Sequence, residues 1–164
     1  MIEQTYREIE GDLIKLAKEG KFDVIAHGCN CFCTMKRGIA PQMAAAFGCD
    51  RFSLEDDRYE GDITKLGNID WKNTPITKPP MRQVNYYVKV VNAYTQYHWN
   101  TQTKPFDYEA FTLCMRKMNK VFAGERVGLP QIGSHLAGGD WERIKTIIRK
   151  ELTACNVTVV IYKP

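Results

Sequence analysis

The sequence predicts an α/β fold, with a largely parallel sheet carrying helices on both faces. Three observations point there. Strand-like and helix-like segments alternate along a chain of 164 residues. That length suits one domain of roughly 100–200 residues with room for a real core. Two glycine-rich loops, 28–38 and 131–139, each follow a short apolar run and precede a helical pattern. In such sheets ligands sit at the carboxyl ends of the strands, where loops of this kind fall.

Taken in order, residues 2–9 read as an opening strand, and Gly11-Asp12 punctuates it. Leu13, Leu16 and Ala17 then recur at helical spacing, and Gly20 closes a short helix. Residues 22–27 form a compact apolar run, the mark of a buried central strand. Residues 39–47 are alanine-rich and helical, with Pro41 tolerated in the first turn. Between 50 and 80 the pattern weakens. Residues 53–59 read as a short helix, and Pro75, Pro79 and Pro80 as turns. Residues 84–95, rich in β-branched and aromatic side chains, predict the longest strand. Asp107 is placed to cap a helix over 108–122, and residues 126–130 predict a short strand. Asp140 caps a helix from Trp141 to about Thr153, and residues 157–162 predict the last strand. No linker, repeat or low-complexity tract interrupts the pattern.

Composition narrows the function. Hydrophobic residues make up 44% and charged residues 26%, an ordinary globular balance. The net charge of +4 suits an anionic small ligand. Without a clustered basic patch it does not predict a nucleic-acid partner. The start of the chain lacks a basic region followed by an apolar run. No segment reaches the roughly 18 consecutive apolar residues of a membrane span. The expectation is therefore a cytoplasmic protein with no membrane partner, and a monomer by default. Six cysteines then read as free thiols. Extended backbone over 27–33 would put His27, Cys29, Cys31 and Cys33 on one face. Their spacing is not that of zinc pairs and no second pair follows, so the expectation is no metal and no cofactor.

The chemistry concentrates in the two loops. The first runs from His27 through Asn30, Lys36 and Arg37 to Gly38-Ile39-Ala40. The second runs from Pro130 through Gly133-Ser134-His135-Leu136-Ala137-Gly138 to Asp140. Glycines let backbone amides approach phosphate oxygens, and a following helix N-terminus adds partial positive charge. Neither loop matches G-x-x-x-x-G-K-[ST] or G-x-G-x-x-G, which argues against a P-loop nucleotidase or a dinucleotide dehydrogenase. A second Gly-Asp-Ile, at Gly61-Asp62-Ile63, lacks a preceding strand and reads as a turn.

An ordered set of motifs carries a family resemblance. It comprises Gly11-Asp12-Leu13, Ile25 through Cys31, Gly38-Ile39-Ala40, Val91 through Gln96, and Pro130 through Trp141. Together they resemble the macro domains, over nearly all of residues 1–164 as a single domain, most weakly at 50–80 and 97–106. The first loop is similar to that of the yeast-type ADP-ribose-1″-phosphate phosphatases, the Appr-1″-p processing family. Commoner macro domains carry Asn-Ala-Ala-Asn there. The resemblance implies a three-layer α/β/α fold around a mixed, mostly parallel sheet. It also implies a site for ADP-ribose or ADP-ribose-1″-phosphate.

Carried across residue by residue, the resemblance gives each position a role. Asp12, with Leu13 beside it, matches the acid that accepts from the adenine amino group; a helix cap is its alternative. Asn30 matches the asparagine beside the distal ribose. Gly38, Ile39 and Ala40 match the first phosphate-side loop, and residues 133–138 the second. Tyr162 falls where an aromatic flanks adenine; a core tyrosine is its alternative.

The leading activity is hydrolysis of ADP-ribose-1″-phosphate to ADP-ribose and phosphate. His27 is then the proton carrier, since an imidazole titrates near neutrality, and Asn30 assists it. Asp140 could serve as a second acid or base, although capping explains it more simply. The competing readings are a non-catalytic reader or sequestering module, and a hydrolase of ester-linked ADP-ribose. The family's lysine and aspartate deacylases would need Lys near 96 and Asp near 137, where this chain has Gln96 and Ala137. Cys33 through Arg37 make the first loop bulkier and more basic than its relatives, so Lys36 and Arg37 could reach a phosphate or remain solvated. His135 adds bulk to the second loop.

Overall fold

The computed structural model describes residues 5–56, 61–77, 83–134 and 137–163. Strand β1 is Thr5–Glu10, helix α1 Leu13–Lys18, strand β2 Val24–Asn30 and helix α2 Ala40–Phe47. A 3₁₀ segment, Cys49–Asp56, leads toward strand β3, Ile69–Thr77, and strand β4, Val84–Gln96. Helix α3 is Tyr108–Val121, strand β5 Arg126–Leu129, helix α4 Trp141–Glu151 and strand β6 Asn156–Ile161. The strands form one six-stranded sheet in the order β1-β6-β5-β2-β4-β3. Every pairing is parallel except β3 against β4.

The core follows from alternation along the strands. Val24 and Ala26 of β2 face α3 and α4, joining Phe111, Met115, Ile144 and Ile148. Ile25 of the same strand faces α1 and α2, joining Leu13, Phe22, Met43 and Phe47. Helix, sheet and helix thus make three layers. On α3, Phe111, Cys114, Met115 and Met118 are all buried. Their i, i+3, i+4, i+7 spacing is one helix face, and each Phe or Met fully buried contributes about 1.5–3 kcal/mol.

The caps fall where the sequence puts them. Asp107 accepts from the Ala110 N–H at 3.0 Å, and Asp140 from the Glu142 N–H at 3.0 Å. Asp62 begins a one-turn 3₁₀ segment, accepting from the Thr64 N–H at 2.9 Å, which fits the turn read at Gly61-Asp62-Ile63.

The structure corrects the sequence reading at three places. Residues 50–56 are 3₁₀ helix, while the rest of the helix read at 53–59 lies outside the described residues. Pro75 sits inside β3, paired with Tyr87, and makes no turn. It is tolerated because β3 is an edge strand, where a missing N–H costs little. Pro79 and Pro80 lie outside the described residues. Strand β2 also continues past His27 to Asn30, because pairing with β4 overrides the weak strand preference of Gly28 and Asn30.

Candidate functional site

A cleft of about 740 Å³ opens at the carboxyl ends of β2, β4, β5 and β6. Its size lies within the roughly 300–1,000 Å³ usual for small-molecule sites. Both glycine-rich loops line it, one between β2 and α2 and the other between β5 and α4.

At one end stand Asp12, Leu13, Val160 and Tyr162. Asp12 immediately follows the β1–β6 ladder and caps α1, its Oδ1 accepting from the Lys15 N–H at 3.1 Å. Its Oδ2 makes no hydrogen bond among the described residues. Cap and ligand acceptor are therefore compatible roles for one carboxylate. Tyr162 is no core tyrosine: it is 65% exposed, directly after β6. An exposed ring and a carboxylate with a spare oxygen lining one cleft suit a planar base bearing an amino group.

The middle of the cleft is backbone. Gly38, Ile39 and Ala40 line it where α2 begins. That helix starts without a capping side chain and without an acidic residue in its first turn. An anion is the natural complement to such an N-terminus. Across from it lie Gly133, Ser134 and Ala137. Gly133 has φ 74°, and a Cβ there would sit 2.2 Å from Phe106 Cε2, so only glycine fits. Ser134 donates its hydroxyl to the Gln131 carbonyl at 2.8 Å and fixes the turn. Gly138 does not line the cleft; it packs against Lys104 instead. His135 and Leu136 lie outside the described residues.

Asn30 lines the cleft, but its amide is spent on the loop. Its Oδ1 accepts from the Phe32 N–H at 2.9 Å and the Thr34 N–H at 3.3 Å. Its Nδ2 donates to Thr34 Oγ1 at 2.8 Å and to the Thr34 carbonyl at 3.3 Å. These bonds hold Cys33 at φ 55°, a left-handed conformation costing a non-glycine residue about 1–3 kcal/mol. Asn30 is thus a positioning residue for the first loop.

His27 is the principal correction. Its side chain is fully buried and does not line the cleft. Strand alternation turns it under the 3₁₀ segment, where Nε2 lies 2.8 Å from Asn92 Oδ1. Asn92 in turn donates Nδ2 to the Cys49 carbonyl at 2.8 Å. That network assigns the proton to Nε2 and leaves Nδ1 as a buried acceptor with no partner among the described residues. Burial pushes the imidazole down to about 4, against the partial support of Asn92. A buried, neutral ring of this kind holds β2 to β4 and does not itself face the cleft.

The thiols around it are structural in the same sense. Cys29 Sγ is 3.4 Å and Cys49 Sγ 3.6 Å from His27 Nε2, while Cys33 Sγ is 3.6 Å from Tyr94 Oη. Burial raises the Cys29 thiol well above its ordinary value and the Cys49 thiol to about 12, which keeps both protonated.

Lys36 and Arg37, both exposed, line the cleft at the first loop. The sequence reading missed Trp99, Gln42 and Gln96 as lining residues. Trp99 follows β4 in a segment without periodicity, and no spacing rule could have pointed to it.

Solved structures share the three-layer fold, and macrodomains are among them. The macrodomain of Mycobacterium tuberculosis DarG superposes with a TM-score of 0.69 at 18% identity, covering 98% of this chain and 99% of that one. Thermosipho africanus DarTG in complex with ADP-ribose superposes at 0.73 with 16% identity, over 98% of this chain and 42% of that one. No protein-family model matches the chain. In sequence it is 32% identical to an uncharacterised 17.5 kDa protein from the tk-vs intergenic region of Enterobacteria phage T4. That match runs over 168 residues, 95% of this chain and 96% of the phage protein. The chain belongs to the family of that phage protein.

Proposed function

We propose that this protein binds ADP-ribose or a close derivative, with adenine between Asp12 and Tyr162 and the diphosphate across residues 38–40 and 133–137. One observation carries the reading: an acceptor and an exposed aromatic ring share a single cleft with an uncapped helix N-terminus. That order matches a base followed by an anionic bridge. A solved relative of the same fold holding ADP-ribose supports it. Among the described residues the cleft carries one carboxylate, Asp12, and no imidazole. The geometry therefore favours a reader or sequestering module.

Phosphate release from ADP-ribose-1″-phosphate is the second reading. Lys36 and Arg37 on the cleft wall favour it, since two cations suit an additional phosphate. Calorimetry with ADP-ribose, AMP and ribose-5-phosphate tests the first reading. ADP-ribose binding more tightly than either fragment is the expected result, and no binding to ADP-ribose would sink it. A phosphate-release assay on ADP-ribose-1″-phosphate, run beside O-acetyl-ADP-ribose hydrolysis, separates the reader from either hydrolase.

A further inference from the structure

The end of the cleft opposite Tyr162 holds an aromatic platform. Trp99 lines the cleft and is 45% exposed. One face of its indole stacks on His98, with centroids 3.8 Å apart and planes 21° from parallel. Phe32, from the first loop, meets the same indole edge-on at 5.0 Å and 86°.

The platform is fixed from several sides. Cys31 N–H donates to the Tyr97 carbonyl at 3.0 Å, and Tyr97 Oη to the Gly61 carbonyl at 2.8 Å. Gln96 Nε2 donates to the His98 carbonyl at 2.8 Å, and the Asn100 N–H to His98 Nδ1 at 3.0 Å. Gly61, at φ 77°, leaves room for Phe32: a Cβ there would lie 2.6 Å from Phe32 Cε1. A tryptophan held this firmly keeps one open face at little entropic cost on binding, because its rotamer is already set.

Topology sets its distance from Tyr162. Tyr162 follows β6 and Trp99 follows β4, with β5 and β2 between them. Three strand spacings of about 4.8 Å put β6 and β4 roughly 14 Å apart at the rim that the two rings follow. The glycine-rich loops and the α2 N-terminus occupy the interval.

We infer that Trp99 is a second ring-binding subsite, and that the ligand class is a sugar–diphosphate–sugar bridge with a planar heterocycle at each end. The inference rests on the nucleotide reading above, which supplies the first ring and the diphosphate. The far ring stacks on the open indole face. An electron-poor or cationic ring gains further from the indole's negative face.

Equilibrium titrations of the intact protein with ADP-ribose, oxidised nicotinamide adenine dinucleotide and diadenosine diphosphate test it. Stacking of this kind is worth about tenfold or more in affinity. At least one two-ring ligand is thus expected to bind about tenfold tighter than ADP-ribose. A gain for the nicotinamide compound alone identifies a cationic pyridine ring, and a gain for the diadenosine compound alone a neutral purine. Trp99→Ala is expected to bring the ratio of two-ring to one-ring affinity to about one, with Trp99→Phe retaining part of it. Indole fluorescence should be quenched by the two-ring ligand in the wild type and not in Trp99→Phe. If ADP-ribose binds and neither two-ring ligand binds tighter, the far subsite is overturned and the nucleotide reading stands. If ADP-ribose itself does not bind, both fall.

Discussion

At the Tyr162 end of the cleft, Asp12 and Tyr162 stand within two residues of a regular element, Asp12 just before α1 and Tyr162 just after β6. At the Trp99 end the indole stands beyond β4 in a loop held by side-chain and backbone hydrogen bonds to residues 31, 61 and 100. The first end inherits its geometry from strand register, which any β1–β6 pairing fixes. The second depends on particular polar groups, of which the Tyr97 hydroxyl and the His98 imidazole can be removed without touching the sheet. Position on a rigid element and position through a hydrogen-bonded loop should therefore fail differently.

The largest effect tests the strand beneath the loop-held end. His27 has a folded-state value of about 4. Its unfolded value is near 6.5, so between the two the unfolded chain takes up a proton that the folded chain refuses. Stability is full above about pH 6.5 and falls by up to about 3 kcal/mol as pH drops to about 4. Urea midpoints measured across that window should fall more steeply for the wild type than for His27→Gln. Parallel curves would mean that the imidazole is not sealed.

Next in size is Asn30→Ala. It strips the acceptor from the Phe32 and Thr34 N–H groups and releases Cys33 from its left-handed backbone. A loss of about 2 kcal/mol of stability is expected. Ligand contacts at the Trp99 end should weaken more than AMP binding at the other end. Equal weakening of both would show that the loop serves the whole cleft.

Smallest in energy is Tyr162→Ala. Its ring is largely solvent-exposed, so stability should change by less than about 0.5 kcal/mol. ADP-ribose affinity should fall about tenfold through lost stacking. An unchanged affinity would remove adenine from this end.

The same contrast explains what could be read from the sequence. Helices α3 and α4 were legible because an aspartate cap precedes a regular apolar face in each. The two glycine-rich loops were legible as cleft walls because their glycines follow apolar strands. Strand β3 was not, since Lys72, Asn73 and Pro75 suit a one-sided edge and give no clean alternation. The burial of His27 away from the cleft has a cause invisible in one dimension. Its partner, Asn92, meets it only through β2–β4 register, which turns the ring inward. The Trp99 platform likewise depends on contacts between residues 32, 61 and 97, which no local pattern encodes.

Pro75 has a consequence beyond its own strand. An outermost strand presents unpaired backbone groups to any extended chain that arrives, and a proline deletes one donor from that row. The opposite rim, β1, carries Arg7, Glu8 and Glu10, with Glu8 and Glu10 ion-paired to Lys145 and Lys163. A newcomer aligning there would have to displace those pairs and desolvate the charges. Both borders of the sheet are thus poor templates for growth, and the carboxyl-end rim is left as the part of the sheet built to receive something else.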